Sequence, residues 1–551
     1  MVDNKEQKLR TISAEELSKQ QREISVAEFF TKNRHLLGFD NPVRALLMTV
    51  KEAVDNSLDA CTEARILPDL IVEIQQISET RFKIIAEDNG PGIIKQNIPK
   101  VFGKLLYGSK FHRYLQNRGS QGIGISASVL YSQLTTGKST KIISKTGRNK
   151  QANYFELSID TKTNNPSILK EEITNWEKDH GTKVEIEIEG KYQKGKQSVD
   201  EYIKEVAIVN PEAQINYTNP EKEKQEFLRA TNALPKEPKE IKPHPYGIEL
   251  GNLIQMLQIT ESRTLQGFLI QDFSRIGPGT AKEICGRAKL NTNKKPKDIQ
   301  RNEAELLFKA TQEVKVIAPP TDCLSPIGSD TLEKGLRKEV NADFYVTTTR
   351  PPTVYRGFPF VIECGIAYGG DLDKEGSIRL MRFANKVPLL YQQGACAVTE
   401  AVSETNWKPY GLQQSGNNLP SGPAIILVHM ASVWVPFTSE AKDAVAHYPD
   451  IIKEIKLALQ ECGRKLSIYI HKHIRAAEQK EKINLFEKYI PELASALHNL
   501  TNENKTKIEE NLRKRLKKDM QNLIEQTGMN NIKEEPKQEK ENKKEKQAQL
   551  I

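Results

Sequence analysis

The feature that most constrains this chain is the order of three motifs in its first third. A helix with the pattern Glu-x-x-x-Asn comes first, then a strand that ends in Asp-x-Gly-x-Gly, then a glycine-rich loop that opens another helix. Alternating strands at 70–77 and 81–87, and further strands up to Ile188, accompany these motifs. Such a succession predicts a mixed α/β sandwich with helices on one face of a sheet.

The first motif lies within "KEAVDNSLDA", residues 51–60. On a helix, Glu52, Asn56 and Asp59 are spaced at i, i+4 and i+7 and therefore share one face. The amide oxygen of Asn56 can ligate Mg²⁺, and the carboxylate of Glu52 can take a proton from an attacking water. A solvated acidic helix face is the alternative, and for this motif alone it is the better explanation.

Two glycine-rich segments follow. In "DNGPG" a carboxylate, Asp88, can accept a hydrogen bond from an exocyclic amine, while Gly90 and Gly92 let the backbone approach a flat ring. An ordinary tight turn would use the same residues. The segment "RGSQGIGIS" at 118–126 leads into a helix, whose N-terminal N–H groups and dipole attract phosphate.

A fourth segment, His180-Gly181-Thr182, precedes the strand "KVEIEIEG" and places a hydroxyl where it can brace the carboxylate of Asp88. In type, order and approximate spacing, the four segments over residues 50–190 resemble the nucleotide motifs of the GHKL (Bergerat-fold) ATPases. That family includes gyrase-type topoisomerases, sensor kinases and mismatch-repair ATPases.

The resemblance implies that ATP and Mg²⁺ are the cofactors, with Glu52 as general base, Asn56 as Mg²⁺ ligand and Asp88 as the adenine reader supported by Thr182. It also implies that residues 101–112 belong to a lid over ATP. The remaining nucleotide-binding residues that it implies are Gly90, Gly92, Gly108, Ser109, Lys110, Gly119, Gln121, Gly122, Ile123, Gly124 and Ile125. The segment "TTGKST" at 135–140 lacks the first glycine of a P-loop, so we expect a polar loop there.

Beyond the first region, a Pro- and Lys-rich stretch at 235–245 predicts a linker. A helical segment, a second α/β region and a helical C-terminal part follow. After Pro449 an apolar stripe with helical spacing comprises Ile451, Ile455, Leu459, Cys462, Leu466 and Tyr469. The predicted domains are an ATPase domain with an N-terminal arm (1–228), a small helical domain (229–306), a transducer domain (307–470), a C-terminal helical region (471–530) and a disordered charged tail (531–551).

This downstream part resembles the family of archaeal-type (type IIB) topoisomerase VI B subunits. Residues 229–306, with "FSRIGPGTAKEI", look like its helix–two-turns–helix domain, although the Gly-Pro-Gly turn also suits a plain helix connection. The resemblance implies that Lys442, in a loop before a helix, reaches the γ-phosphate of ATP. It further implies that Trp407, Lys408 and Tyr410, in "NWKPYGLQ", face DNA, with a buried Trp–Tyr pair as the alternative.

Composition sets only broad limits. The net charge of +9 permits contact with nucleic acid but does not demonstrate it. Six scattered cysteines without a CxxC pair favour reduced thiols in a cytoplasm over a zinc site or a disulfide framework. The N-terminus has no apolar segment of a secretory signal, and the longest apolar stretch, 424–437, is too short to cross a bilayer.

From the resemblance we expect an ATP-hydrolysing subunit of a type II DNA topoisomerase. ATP would close two copies of the chain into a dimer, and a separate A subunit would cleave double-stranded DNA in an A₂B₂ assembly. On this hypothesis the apolar stripe after Pro449 binds the A subunit. The alternative is a stand-alone ATP-driven clamp or scaffold related to mismatch-repair ATPases.

Overall fold

The computed structural model describes residues 14–19, 21–110, 113–119, 122–439 and 441–527. The chain divides into two compact units, Met1–Thr405 with Gln414–Cys462 and Asn406–Gln413 with Gly463–Ile551. Most of the predicted N-terminal arm, the predicted nucleotide contact Gln121 and the charged tail lie outside the described residues.

The first unit opens with a mixed sheet and the helices that cover it. In chain order the elements are α1 Ala14–Ser18, α2 Val26–Lys32, α3 Pro42–Glu63, β1 Asp69–Gln76, β2 Arg81–Glu87, α4 Ile98–Gly103, α5 Gly124–Thr136, β3 Thr140–Thr146, β4 Ala152–Asp160, β5 Asn165–Thr174, β6 His180–Glu189, α6 Val199–Val209, β7 Gln214–Thr218 and β8 Lys224–Phe227. The described strands form one sheet in the order β5-β4-β3-β6-β2-β1-β7-β8, antiparallel except for the parallel pair β1 and β7. The predicted α/β sandwich is confirmed.

Helix α3 begins where the sequence supplies an N-cap. The side chain of Asn41 accepts a hydrogen bond from the backbone N–H of Arg44 at 2.8 Å, and Pro42 takes the first helical position. One face of the helix, including Leu46, Val50 and Val54, is buried in the core over the sheet. Because this face fixes the rotation of α3, the face with Glu52 and Asn56 is presented to a cleft beside the sheet.

A helical region follows, with α7 Leu250–Ile259, α8 Leu265–Asp272, α9 Pro278–Arg287 and α10 Arg301–Glu313. The Gly-Pro-Gly segment begins α9, with Gly277 as N-cap and Pro278 at the first position. These helices have an apolar core of their own, from Ile248 to Val316. The predicted boundary at residue 306 falls inside α10, so a boundary after Val316 fits the packing better.

The second α/β region contains α11 Ser329–Glu339, β9 Phe344–Thr349, β10 Thr353–Tyr355, β11 Phe358–Tyr368, β12 Arg379–Ala384, β13 Val387–Pro388, α12 Ala397–Glu404 and β14 Ala424–Ser432. The order in its sheet is β10-β11-β14-β12-β13, with β9 also paired to β11. Every residue of β14 is buried, as expected of a central strand that is covered on both faces.

The long helix α13 runs Pro449–Thr501, and α14 runs Lys505–Thr527. On α13, Ile451, Ile455, Leu459, Cys462 and Leu466 of the apolar stripe are completely buried within the chain. Cys462 lies against the second sheet, where its Sγ is 3.6 Å from the carbonyl oxygen of Cys364. The hypothesis that this stripe binds the A subunit is therefore wrong for these five side chains, which are already covered; the sixth, Tyr469, is half-buried.

In the second unit, the segment Asn406–Gln413 packs on α13. Trp407 is fully buried and its ring meets that of Tyr410 edge-on, with centroids 6.0 Å apart. Ser467 on α13 donates a hydrogen bond to the carbonyl oxygen of Pro409 at 3.0 Å. The expectation that Trp407 faces DNA is wrong, since its ring is covered; Lys408 is exposed and Tyr410 is half-buried.

All six cysteines are buried free thiols. Among the residues described, no helix is both long enough and apolar enough to span a bilayer.

Candidate nucleotide site

A cavity of about 570 Å³ lies beside the face of α3 that carries Glu52 and Asn56. Its size is that of a typical small-molecule site. Apolar side chains such as Met48, Ile93 and Phe102 form one part of the wall. The predicted site residues on the wall are Glu52, Asn56, Asp88, Gly92, Gly108, Ser109, Lys110, Gly119, Gly122, Ile123, Gly124, Ile125, Thr182 and Lys442.

Asp88, at the end of β2, is buried and held by three hydrogen bonds. The Ser57 hydroxyl donates to Oδ2 at 2.9 Å, and the backbone N–H groups of Gly90 and Thr182 donate to Oδ1 at 2.9 and 3.1 Å. Burial raises the pKa of Asp88, while these hydrogen bonds oppose the rise. A fixed carboxylate on an otherwise apolar wall suits recognition of an amino group on a flat ring.

The segment His180-Gly181-Thr182 supports Asp88, although not in the predicted way. The Thr182 hydroxyl lies 3.1 Å from the Ser144 hydroxyl, so the brace comes from the Thr182 backbone and not from its side chain. Gly181 has φ +137°, and a Cβ there would lie 2.1 Å from the carbonyl oxygen of Asp88. Glycine is required at this position because β6 approaches the end of β2 so closely.

At the other end of the cavity, the carboxylate of Glu52 lies against the first turn of α5. A Cβ on Gly124 would be 1.7 Å from Oε2 of Glu52, which shows how closely the carboxylate approaches the helix N-terminus. Lys51 is 3.4 Å from Oε1 of Glu52 and 3.3 Å from Asp55. Asn56 is exposed to the cavity one turn further along α3.

Two cations, one from the lid region and one from the start of the glycine-rich loop, neutralise Asp59, which is buried. Lys110 is 2.8 Å and Arg118 is 2.9 Å from its carboxylate oxygens. Burial by itself would raise the pKa of Asp59, but the two positive charges outweigh it and hold the pKa below its ordinary value. The acidic face of α3 is therefore not a solvated surface.

Lys442 reaches the cavity from the second α/β region. Its Nζ donates a hydrogen bond to the carbonyl oxygen of Arg118 at 2.7 Å, at the start of the glycine-rich loop. Burial lowers the pKa of Lys442, and the charge of Lys51 acts in the same direction. The first helix residue after the Lys442 loop is Pro449.

Sequence reasoning missed Ser57, Lys51 and Arg118 as contributors to the site. Ser57 had a usable signal, since it is a polar residue on the apolar face of α3. Of the predicted residues, Gly90 contributes through its hydrogen bond to Asp88, and Trp407, Lys408 and Tyr410 belong to the other unit. The segment 135–140 spans the end of α5, a loop at 137–139 and the start of β3.

Two protein-family models match parts of this chain. Residues 45–189 match the model of the histidine kinase-, DNA gyrase B- and HSP90-like ATPases. Residues 319–482 match the model of the topoisomerase VI B subunit transducer. The solved ATPase region of Saccharomyces cerevisiae topoisomerase II matches with 12% identity and a TM-score of 0.37 over 82% of this chain and 100% of that one, a likeness too distant to support any inference.

Among curated proteins, the B subunit of type 2 DNA topoisomerase 6 from Methanococcoides burtonii is 54% identical over 88% of this chain and 78% of its own length. The protein of the same name from Methanosarcina barkeri is 54% identical over 88% of this chain and 79% of its own. The one from Archaeoglobus fulgidus is 49% identical over 87% and 79%.

The fold and the cavity define a GHKL-type ATPase. Since relatives at this level of identity cover most of both chains, the chain belongs to the family of type 2 DNA topoisomerase 6 B subunits. As a member it is the ATPase subunit of an ATP-dependent type II DNA topoisomerase, and the stand-alone mismatch-repair-type clamp is not supported.

Proposed function

We propose that ATP and Mg²⁺ bind in the cavity beside α3 and close two copies of this chain into a dimer. Closure gates the passage of one DNA duplex through a break that a separate A subunit makes in another. The observation that carries the proposal is the position of Lys442, which extends from the second α/β region to the glycine-rich loop of the first. A lysine placed so can couple the state of the phosphates to the second sheet.

The chemistry assigned to each residue follows from its place. Asp88 reads the adenine amino group, and the end of the glycine-rich loop with the start of α5, Gly122 to Ile125, binds phosphate oxygens through N–H groups and the helix dipole. Glu52 accepts the proton of the attacking water. Mg²⁺ is a hard cation that prefers oxygen ligands and would neutralise phosphate charge; the exposed amide of Asn56 fits it.

We propose three domains for the first unit: an ATPase domain to about residue 228, a helical domain to Val316 with its own apolar core, and a transducer domain that includes the start of α13. The core of the transducer domain also takes in Ile208 and Val209 of α6. The partners are the A subunit, in an A₂B₂ assembly, and double-stranded DNA. Of the three predicted DNA contacts, the exposed Lys408 and the half-buried Tyr410 remain candidates, whereas Trp407 is covered. Buried free thiols suit a reducing cytoplasm.

The test is Glu52→Ala in the full chain, assayed with the A subunit and DNA. We expect ATP binding to persist and hydrolysis to fall by about two to four orders of magnitude, the usual worth of a general base. Glu73→Gln, a carboxylate change on β1, is the control and should leave turnover unchanged. Normal turnover of the Glu52→Ala chain would remove Glu52 from the mechanism.

A further inference from the structure

The loop that carries Lys442 is attached to α3 by an ion pair. Asp443, the next residue, is 4% exposed, and its Oδ2 accepts a hydrogen bond from Nη2 of Arg44 at 2.6 Å. The Arg44 guanidinium also lies over the ring of Tyr391, 4.7 Å from its centroid. A second carboxylate, Asp40, is 3.0 Å from Arg44 but is much more exposed, at 36%.

This contact is more restrictive than a surface ion pair. A guanidinium held over an aromatic face and bonded to a buried carboxylate has little freedom to move. Removing Arg44 leaves the buried carboxylate of Asp443 without its hydrogen-bonded cation, a penalty that exposed pairs do not carry. The Arg44–Asp443 pair therefore fixes the backbone of the loop at Asp443.

The backbone on the other side of this anchor is also constrained. Lys442 has φ +57°, in the left-handed region that residues with a Cβ rarely adopt. Its backbone N–H donates to the carbonyl oxygen of Ser439 at 3.0 Å, and the backbone N–H of Thr438 donates to the carbonyl oxygen of Ala444 at 3.0 Å across the same loop. With Asp443 fixed, the direction in which the Lys442 side chain leaves the loop is set as well.

Helix α3 connects this anchor to the catalytic end of the cavity. Arg44 and Glu52 are on the same helix, eight residues and about 12 Å of helix rise apart. A rigid helix therefore holds the anchor of the lysine loop at a constant distance from the proposed general base.

We propose that Arg44 is a positioning residue for ATP turnover. By binding Asp443, it holds the ammonium of Lys442 at the glycine-rich loop, in a fixed position relative to Glu52. This inference rests on the proposed role of Lys442 in sensing the phosphates. Arg44 lies outside all the nucleotide-site motifs of the sequence. The competing explanation is that the pair only ties the two regions together for stability.

The test compares ATP turnover and thermal unfolding of the full chain for Arg44→Met, Asp443→Asn and Lys442→Ala, with the A subunit and DNA present. Methionine keeps much of the packing over Tyr391, and asparagine is nearly isosteric with aspartate, so at least one variant should fold. We expect each of the first two changes to lower kcat about 10- to 100-fold, as misplacement of a catalytic group by about 1 Å does. Arg44→Lys should recover part of the loss, and Asp40→Asn, the matched control on the exposed partner, should change kcat less than about twofold.

The decisive comparison is made in the Lys442→Ala background. If Arg44 acts through Lys442, adding Arg44→Met there should lower kcat by less than about a further twofold. A full, additive loss in that background, or unchanged kcat in both folded single variants, would overturn the inference while leaving the role of Lys442 intact. Normal turnover of Lys442→Ala would instead overturn the proposed function of that lysine, and the inference with it.

Discussion

A methyl group added at Gly124 would displace Glu52 without removing any catalytic group. The new Cβ would lie 1.7 Å from Oε2 of Glu52 and 2.4 Å from its Cδ, whereas Cβ contacts below 3.0 Å essentially never occur. The carboxylate must therefore retreat by more than about 1 Å, a misplacement that costs about 10²-fold in rate. That loss corresponds to about 2.7 kcal/mol of transition-state stabilisation.

Stability should move in the opposite direction. Gly124 occupies the first position of α5, and alanine there restricts the unfolded chain more than glycine does, which stabilises the fold by roughly 0.4–1 kcal/mol where the backbone is unstrained. The expected result for Gly124→Ala is thus a turnover number about a hundredfold lower, with an unchanged or slightly higher Tm. Gly147→Ala is the control, since a methyl group there meets nothing within 4 Å.

Steady-state ATPase assays measure the loss of turnover. Calorimetry with a non-hydrolysable analogue shows whether nucleotide binding is retained. In the Glu52→Ala background, Gly124→Ala should lower the residual rate by less than about twofold, because the displaced group is already absent. A hundredfold loss in that background would contradict the claim that the methyl group displaces Glu52, because it would then act on the phosphates.

Three further predictions concern other parts of the chain. Ser57→Ala removes a buried hydrogen bond worth about 1 kcal/mol from Asp88, so calorimetry should show roughly fivefold weaker ATP binding; unchanged affinity would mean that the hydroxyl does not support the carboxylate. Burial raises the pKa of Glu205 to about 7 from 4.5, so the folded chain keeps a proton that the unfolded chain releases, and the free energy of unfolding falls as the pH rises between those values. Glu205→Gln should therefore raise Tm more at pH 8 than at pH 5, and an equal change at both would contradict the assignment. Leu459→Glu places a charge at a fully buried position of α13 and should lower the free energy of unfolding by about 3 kcal/mol or more, whereas Ile468→Glu, at a site 71% exposed on the same helix, should cost less than about 0.5 kcal/mol.

Most of the predicted site residues of the first region line one cavity, and the sequence could anticipate this because many of them belong to short segments. Glu52 and Asn56 are one helical turn apart, Asp88 is the first residue after β2, and Gly124 is the first residue of α5. Local geometry therefore determines where these residues point. The glycines were informative because a segment that approaches another backbone closely has no room for a Cβ, so glycine stands at such positions in the sequence.

Contacts between distant segments were not predictable in this way. Nothing in the spacing indicates that Arg44 meets Asp443, or that the brace on Asp88 comes from the Thr182 backbone while its hydroxyl turns to Ser144. The stripe after Pro449 and Trp407 were misjudged because an apolar pattern gives the face of a helix but not what covers it. The second sheet covers the stripe near Cys462, and α13 packs on the segment Asn406–Gln413 that contains Trp407; each of these contacts joins distant parts of the sequence.

The central claim, that ATP operates this chain as a dimerising gate, is tested most directly by sedimentation velocity of the purified chain with and without a non-hydrolysable ATP analogue and Mg²⁺. We expect a monomer that becomes a dimer only with nucleotide, and a weaker shift for Lys442→Ala. An unchanged sedimentation coefficient at saturating analogue, with binding shown calorimetrically on the same sample and with the A subunit also present, would contradict it.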